Sequence, residues 1–255
     1  MRGRGWEMCG SSGDIGSRVV RLRYGTAEAQ CGELYLPDGR YAPVVCLLHG
    51  GYWRMPHGRD QMEPMARDLV RRGYAVWNLG YRRVGEVQPA WPACLEDVNC
   101  GVDRLADTDF GLDLDRVVLV GHSAGGHLAL SCAASWPARR VRLLAAIGLA
   151  PVTDLLSSSA DTALKAAIDA LLADSAEAAS PLQRLPIGLH QTLIHSLIDD
   201  GVPVAMSQSY AQRAYRAGDE LELVELPGAG HMDFLDPDSA AYAALCQALR
   251  LYLHG

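Results

Sequence analysis

The sequence predicts an α/β architecture: a mostly parallel sheet with helices on both faces and a short cap-like excursion. Three observations predict it. Short continuous apolar runs such as Pro43-Val44-Val45-Cys46-Leu47-Leu48 recur along the chain, as strands covered on both faces require. Stretches with helical spacing separate these runs, which is the pattern of parallel strands joined by crossover helices. One Gly-x-Ser-x-Gly pentapeptide, Gly121 to Gly125, lies between such a run and such a helix.

The elements follow in order. Residues 19–24 and 30–36 are alternating or apolar-rich and read as two leading strands, with Pro37-Asp38-Gly39 as a turn. Residues 43–48 are a buried strand. Residues 62–72 carry Met62, Met65, Ala66, Leu69 and Val70 on one side of a helix, which Gly73 stops. Residues 74–77 are the next strand, and 91–105 a helix beginning near Pro92. A strand at 116–120, a helix at Ala124–Ser135 and a strand at Leu143–Leu149 continue the alternation. Residues 162–172 are helical, flanked by loops at 157–159 and 176–180. A strand at 191–195, a helix at 207–217, a strand at Leu221–Leu226 and a helix at 239–253 complete the chain. The expected organisation is a flexible segment over 1–16 and one domain over 17–255, with residues 152–182 as an excursion over or near the site.

Composition narrows the function. The chain has 255 residues, 49% hydrophobic and 21% charged, which excludes wholesale disorder and a small disulfide scaffold. Twenty-three basic against 30 acidic residues leave a net charge of -7 without a basic stripe, so nucleic acid is not an expected partner. The seven cysteines are odd in number, irregularly spaced and without a Cys-x-x-Cys, and read as reduced thiols of a cytoplasmic protein. Residues 1–16 lack the apolar centre of a secretory signal. No apolar stretch reaches the roughly 20 residues that span a membrane. The eight histidines form no His-x-x-x-His or Cys/His cluster, so neither a metal nor another cofactor is expected.

Chemistry concentrates in four places. Ser123, at the tip of the strand-to-helix turn Gly121-His122-Ser123-Ala124-Gly125-Gly126, has the setting of an activated nucleophile rather than of a glycine-rich helix start that only packs. His49-Gly50-Gly51-Tyr52-Trp53, directly after a buried strand, offers backbone N–H groups to an oxyanion, with Gly51, Tyr52 and Ala124 as the donor candidates. His231, in the loop Gly228-Ala229-Gly230-His231 after the last strand, is the candidate base. Asp199 is the candidate acid, with the adjacent Asp200 and the earlier Asp154 as rivals. Trp53, His122, Tyr81, Met232 and Trp91 fall in or next to loops at strand ends and are the candidate pocket lining. Arg54, Arg82 and Arg83 could meet an anionic substrate, although ordinary solvated or ion-paired roles compete.

The order Ser123, Asp199, His231 is that of α/β-hydrolases. The chain resembles that family's esterase/lipase group from about residue 32 to its end. His49 to Trp53 is similar to the oxyanion motif of the kynurenine formamidase (arylformamidase) branch. Residues 195–203 resemble its His-Gly-x-x-Asp-x-x-Val-Pro segment, with Ser196 where the glycine usually stands. The resemblance implies a serine hydrolase for a carboxylic ester or aryl formamide, working through an acyl-enzyme. Its partner is then a small molecule with an ester, amide or thioester carbonyl, and a homodimer is compatible with the sequence. Competing readings are thioester or lactone acyl transfer in biosynthesis, and a silent ligand-binding member of the fold.

Overall fold

The computed structural model describes residues 13–14, 17–136, 140–156, 162–172 and 176–254. Among the described residues nine strands form one sheet: β1 (Gly13–Asp14), β2 (Ser17–Arg23), β3 (Cys31–Leu36), β4 (Ala42–Leu48), β5 (Ala75–Leu79), β6 (Leu112–His122), β7 (Leu143–Leu149), β8 (His190–Ser196) and β9 (Leu221–Leu226). Their spatial order is β1-β2-β3-β5-β4-β6-β7-β8-β9. The three leading strands join antiparallel, and the six from β4 onward are mutually parallel. Within the segment expected to be flexible, Gly13 and Asp14 pair with β2; residues 1–12 and 15–16 lie outside the described residues.

The parallel centre is buried on both faces, and β4 shows why. Val44, Cys46 and Leu48 point into one apolar cluster with α2 (Ala93–Asp103) and α3 (Ala124–Ser135). Val45 and Leu47 point into the other, with α1 (Glu63–Arg71) and α7 (Ala240–His254). The period of two along the strand thus divides one apolar run between two cores. Each fully buried aliphatic side chain contributes about 1.5–3 kcal/mol of transfer free energy. A third, smaller cluster joins Leu193 and Leu130 to Tyr210 and Ala214 of α6 (Val204–Ala217).

Between β7 and β8 the chain forms α4 (Thr162–Leu171) and the single turn α5 (Ala176–Ala179), where the sequence predicted a loop. Leu155, Leu164, Ile168 and Leu171 pack into the cluster under α3, so this segment is anchored to the domain. The predicted loop at 157–159 lies outside the described residues. No disulfide joins the described cysteines, which are all but Cys9. Among the described residues no helix is long and apolar enough to cross a membrane.

Candidate active site

Parallel strands place their carboxyl ends at one edge of the sheet, where α/β folds form their crevices. The segments after β4, β6, β7, β8 and β9 carry His49, Ser123, Ala150, Asp199 and His231, respectively.

Ser123 stands between the last residue of β6 and the first of α3, with φ 54 and ψ -116. Positive φ is strained for a residue with a Cβ. The neighbouring glycines allow it. A Cβ on Gly121 would stand 2.1 Å from the Gly125 carbonyl oxygen, and one on Gly125 would stand 2.1 Å from that of Leu48. The Ser123 N–H donates to the Leu149 carbonyl at 2.8 Å, and the Ser123 carbonyl accepts from Val152 at 3.3 Å, which fixes the turn between β7 and α3. The residue is 8% exposed.

Asp199 and His231 meet. Both carboxylate oxygens lie 2.9 Å from His231 Nδ1. The Asp199 side chain is fully buried and also accepts the N–H groups of Gly201 at 2.9 Å and Val202 at 2.7 Å. Burial pushes this carboxyl up. The hydrogen bond and charge of His231, with the two backbone donors, outweigh that push and hold it below the usual carboxylate range. A carboxylate only accepts, so Nδ1 carries the proton and the neutral ring keeps its lone pair on Nε2. Neither rival is in place: Asp200 is exposed, and Asp154 accepts from Leu156 N–H at 3.0 Å and the Ser180 hydroxyl at 3.1 Å.

Sequence reasoning missed the groups that seat His231. A Cβ on Gly201 would stand 2.7 Å from two carbons of its ring, so only glycine admits the ring there. The hydroxyl of Ser196 accepts the Ala229 N–H at 3.1 Å, tying the loop of the acid to that of the histidine. A glycine at position 196 could not make this bond. His195 is buried behind Asp199, its Nε2 donating to the Val202 carbonyl at 2.9 Å and its Nδ1 meeting the Ser207 hydroxyl at 2.7 Å.

Three expected pocket residues are corrected to supporting positions. Trp53 and Tyr81 are both 0% exposed, and His122 is buried too. The Tyr81 hydroxyl donates to the His49 carbonyl at 2.7 Å, and its ring stacks on His49 at 4.3 Å. His122 donates from Nε2 to the His231 carbonyl at 2.9 Å, with the two rings 4.6 Å apart. Burial, then the proximity of His231, holds its pKa down at about 3. Met232 is 57% exposed and Trp91 half-buried, so both remain open to a ligand.

The loop expected to receive the oxyanion has an unusual backbone. Gly51, Tyr52 and Trp53 lie in succession at φ 103, 56 and 53. Ala124 opens α3, where backbone N–H groups have no helical acceptor. Two of the three arginines are neutralised, Arg82 by Asp97 at 2.7 Å and Arg83 by Glu86 at 2.8 Å. Arg54 is exposed, its guanidinium 5.3 Å from the centre of the Tyr52 ring. Among the described residues no group of three His, Cys, Asp or Glu could hold a metal ion.

This sheet, with its strand-to-helix serine and the pairing of Asp199 with His231 at the strand ends, has the architecture of the α/β-hydrolase fold. It superposes on a truncated carbohydrate esterase from gut microbiota with a TM-score of 0.79, 17% identity, and coverage of 92% of this chain and 95% of the other. The BD-FAE family model matches residues 33–213, and the chain belongs to that family. It is 32% identical over 102 residues to the esterase LipQ of Mycobacterium tuberculosis, a match covering 39% of this chain and 24% of LipQ. It is 27% identical over 267 residues to the esterase LipC of the same organism, covering 92% of this chain and 64% of LipC. The chain therefore spans less than two thirds of either relative.

Proposed function

We propose that the chain is a serine hydrolase of carboxylic esters. The observation that carries this reading is the pairing of a buried Asp199 carboxylate with His231 Nδ1 at 2.9 Å, at the same sheet edge as a serine on a positive-φ turn. In this reading Ser123 Oγ attacks the substrate carbonyl as His231 Nε2 takes its proton. Asp199 holds the ring in the required tautomer and stabilises the imidazolium. The amides of Gly51, Tyr52 and Ala124 receive the oxyanion, and water then releases the acyl group from Ser123. The esterase relatives support the ester as the substrate class.

The His49-Gly50-Gly51-Tyr52-Trp53 motif supports the finer reading of an aryl formamide substrate. One panel decides between them: p-nitrophenyl butyrate, N-formylkynurenine and an acyl thioester, each with the wild type and Ser123→Ala. Ester turnover lost in Ser123→Ala, with Ser123 labelled by a fluorophosphonate, is the expected result. Background rates and no labelling would overturn the hydrolase reading. Formamide turnover matching the ester would select the formamidase branch, and a faster thioester would select acyl transfer from a thiol.

A further inference from the structure

Tyr52 and Trp53 hold a backbone conformation that costs a non-glycine residue on the order of 1–3 kcal/mol and persists only where the surroundings over-determine it. On one side the loop is held by main chain. Val84 N–H donates to the Trp53 carbonyl at 2.8 Å, Met55 N–H to that of Val84 at 3.1 Å, and Arg54 N–H to that of Gly51 at 3.1 Å. On the side of α3 it is held by side chains. The Trp53 indole N–H lies 3.1 Å from the Ala124 carbonyl and 3.1 Å from His127 Nδ1. His127 Nε2 lies 2.8 Å from the Ala179 carbonyl, with the Ser131 hydroxyl at 3.5 Å.

These partners admit one form of the ring. The Ala179 carbonyl can only accept, so Nε2 carries the proton. The indole can only donate, so Nδ1 must be the bare acceptor. An imidazolium would set an N–H against the indole N–H. Burial holds the pKa of His127 down at about 4, which keeps the ring neutral near pH 7. It sits edge-on to Trp53, with centroids 5.1 Å apart, and tilted against Trp91 at 5.4 Å. His127 is one helical turn beyond Ser123, and its own N–H donates to the Ser123 carbonyl at 3.1 Å.

We propose that His127 is a positioning residue for the oxyanion: through Trp53 it locks the oxyanion loop to the first turn of α3, and through Ala179 it secures that lock to the segment between β7 and β8. The amides of Gly51 and Tyr52 then keep one spacing from that of Ala124. Spacing matters because oxyanion donors act only within about 2.7–3.1 Å of the developing charge. This inference rests on the Ser123 reading above.

The test uses the full chain and p-nitrophenyl butyrate, well below each variant's Tm. His127→Phe removes both bonds, and Trp53→Phe removes the donor. His127→Asn keeps an acceptor near the position of Nδ1. His127→Phe and Trp53→Phe are each expected to lower kcat by about tenfold or more, with KM changed less than about twofold, because an ångström of misplacement acts on the transition state. The double variant should be no slower than the slower single variant, since Trp53→Phe removes the indole donor and with it the bond that His127→Phe removes from the other side. His127→Asn should recover most of kcat. In a 1H–15N spectrum, the Trp53 indole N–H should be protected from exchange in the wild type and exchange faster in His127→Phe, where the Ala124 carbonyl alone remains of its two acceptors. A purely structural role would lower Tm and leave kcat in place. Wild-type kcat in His127→Phe, or losses that multiply in the double variant, would overturn the proposal while Ser123→Ala remains inactive. Wild-type turnover in Ser123→Ala would overturn the serine reading, and this inference with it.

Discussion

In the proposed serine hydrolase, Asp199 acts through a proton it never takes. Its carboxylate accepts from His231 Nδ1 and from two backbone N–H groups, which pins the imidazole proton on Nδ1 and, in that mechanism, leaves Nε2 free for Ser123. Asn at this position keeps the size and loses the charge. Its amide can present N–H groups to Nδ1, which moves the ring proton to Nε2 and removes the base. The corresponding change in a serine protease lowers kcat about 10⁴-fold with the geometry intact. Asp199→Asn is therefore expected to lose at least about 10³-fold in kcat on p-nitrophenyl butyrate. Asp200→Asn and Asp154→Asn, which do not touch His231, should stay within about twofold of wild type, as substitutions away from the special feature do. An inactive Asp200→Asn beside an active Asp199→Asn would show that the neighbouring carboxylate carries the role.

The turn from β6 to α3 stores strain at one residue. Ser123 has φ 54, and nothing but glycine adopts this without cost. Ser123→Gly should abolish turnover and stabilise the fold by about 1 kcal/mol, raising Tm by about 2–4 °C, whereas Ser123→Ala keeps the strain and gains nothing comparable. Calorimetry of the two variants checks this; equal Tm values would show the turn to be relaxed. This turn was readable in the sequence because its glycines, its serine and its flanking apolar strand are contiguous. The buried strands were readable for the same reason, and β7 and β9 have the predicted bounds. The strand β6 begins at Leu112 rather than 116, because its first half is half-exposed and charged and lacks the apolar run. The helix α6 begins at Val204 rather than 207, since Pro203 precedes it without a side-chain cap. Trp53 and Tyr81 were misplaced for a different reason. An aromatic residue beside a motif serves equally as lining or as packing, and partners distant in sequence decide. Here the Ala124 and His49 carbonyls satisfy the indole N–H and the phenol, so both side chains can be fully interior. One local signal was available: His127 lies four residues after Ser123, on the same face of α3.

Across the whole molecule the buried histidines form an acid-sensitive core. His49, His122 and His127 are interior, and burial is the largest influence holding them down at about 3, 3 and 4. In the unfolded chain each titrates near its ordinary value of about 6.5. Between those limits the unfolded state binds protons that the native state refuses, so stability is full above about pH 6.5 and falls as pH is lowered. The slope reaches about 1.4 kcal/mol per pH unit for each such histidine. Asp199 adds a loss of the same sign: its folded pKa is depressed, so its contribution is present above the unfolded carboxylate range and disappears as pH falls through the folded value. Thermal unfolding is therefore expected to show a Tm that is level from pH 7 to 8 and falls with increasing steepness from pH 6.5 to 4. Because phenylalanine cannot take the proton, His127→Phe should start from a lower Tm at pH 7 and show a shallower fall over pH 6.5 to 4. A level Tm down to pH 4 in the wild type would mean that the native state admits these protons, and equal slopes in the two proteins would remove His127 from the set.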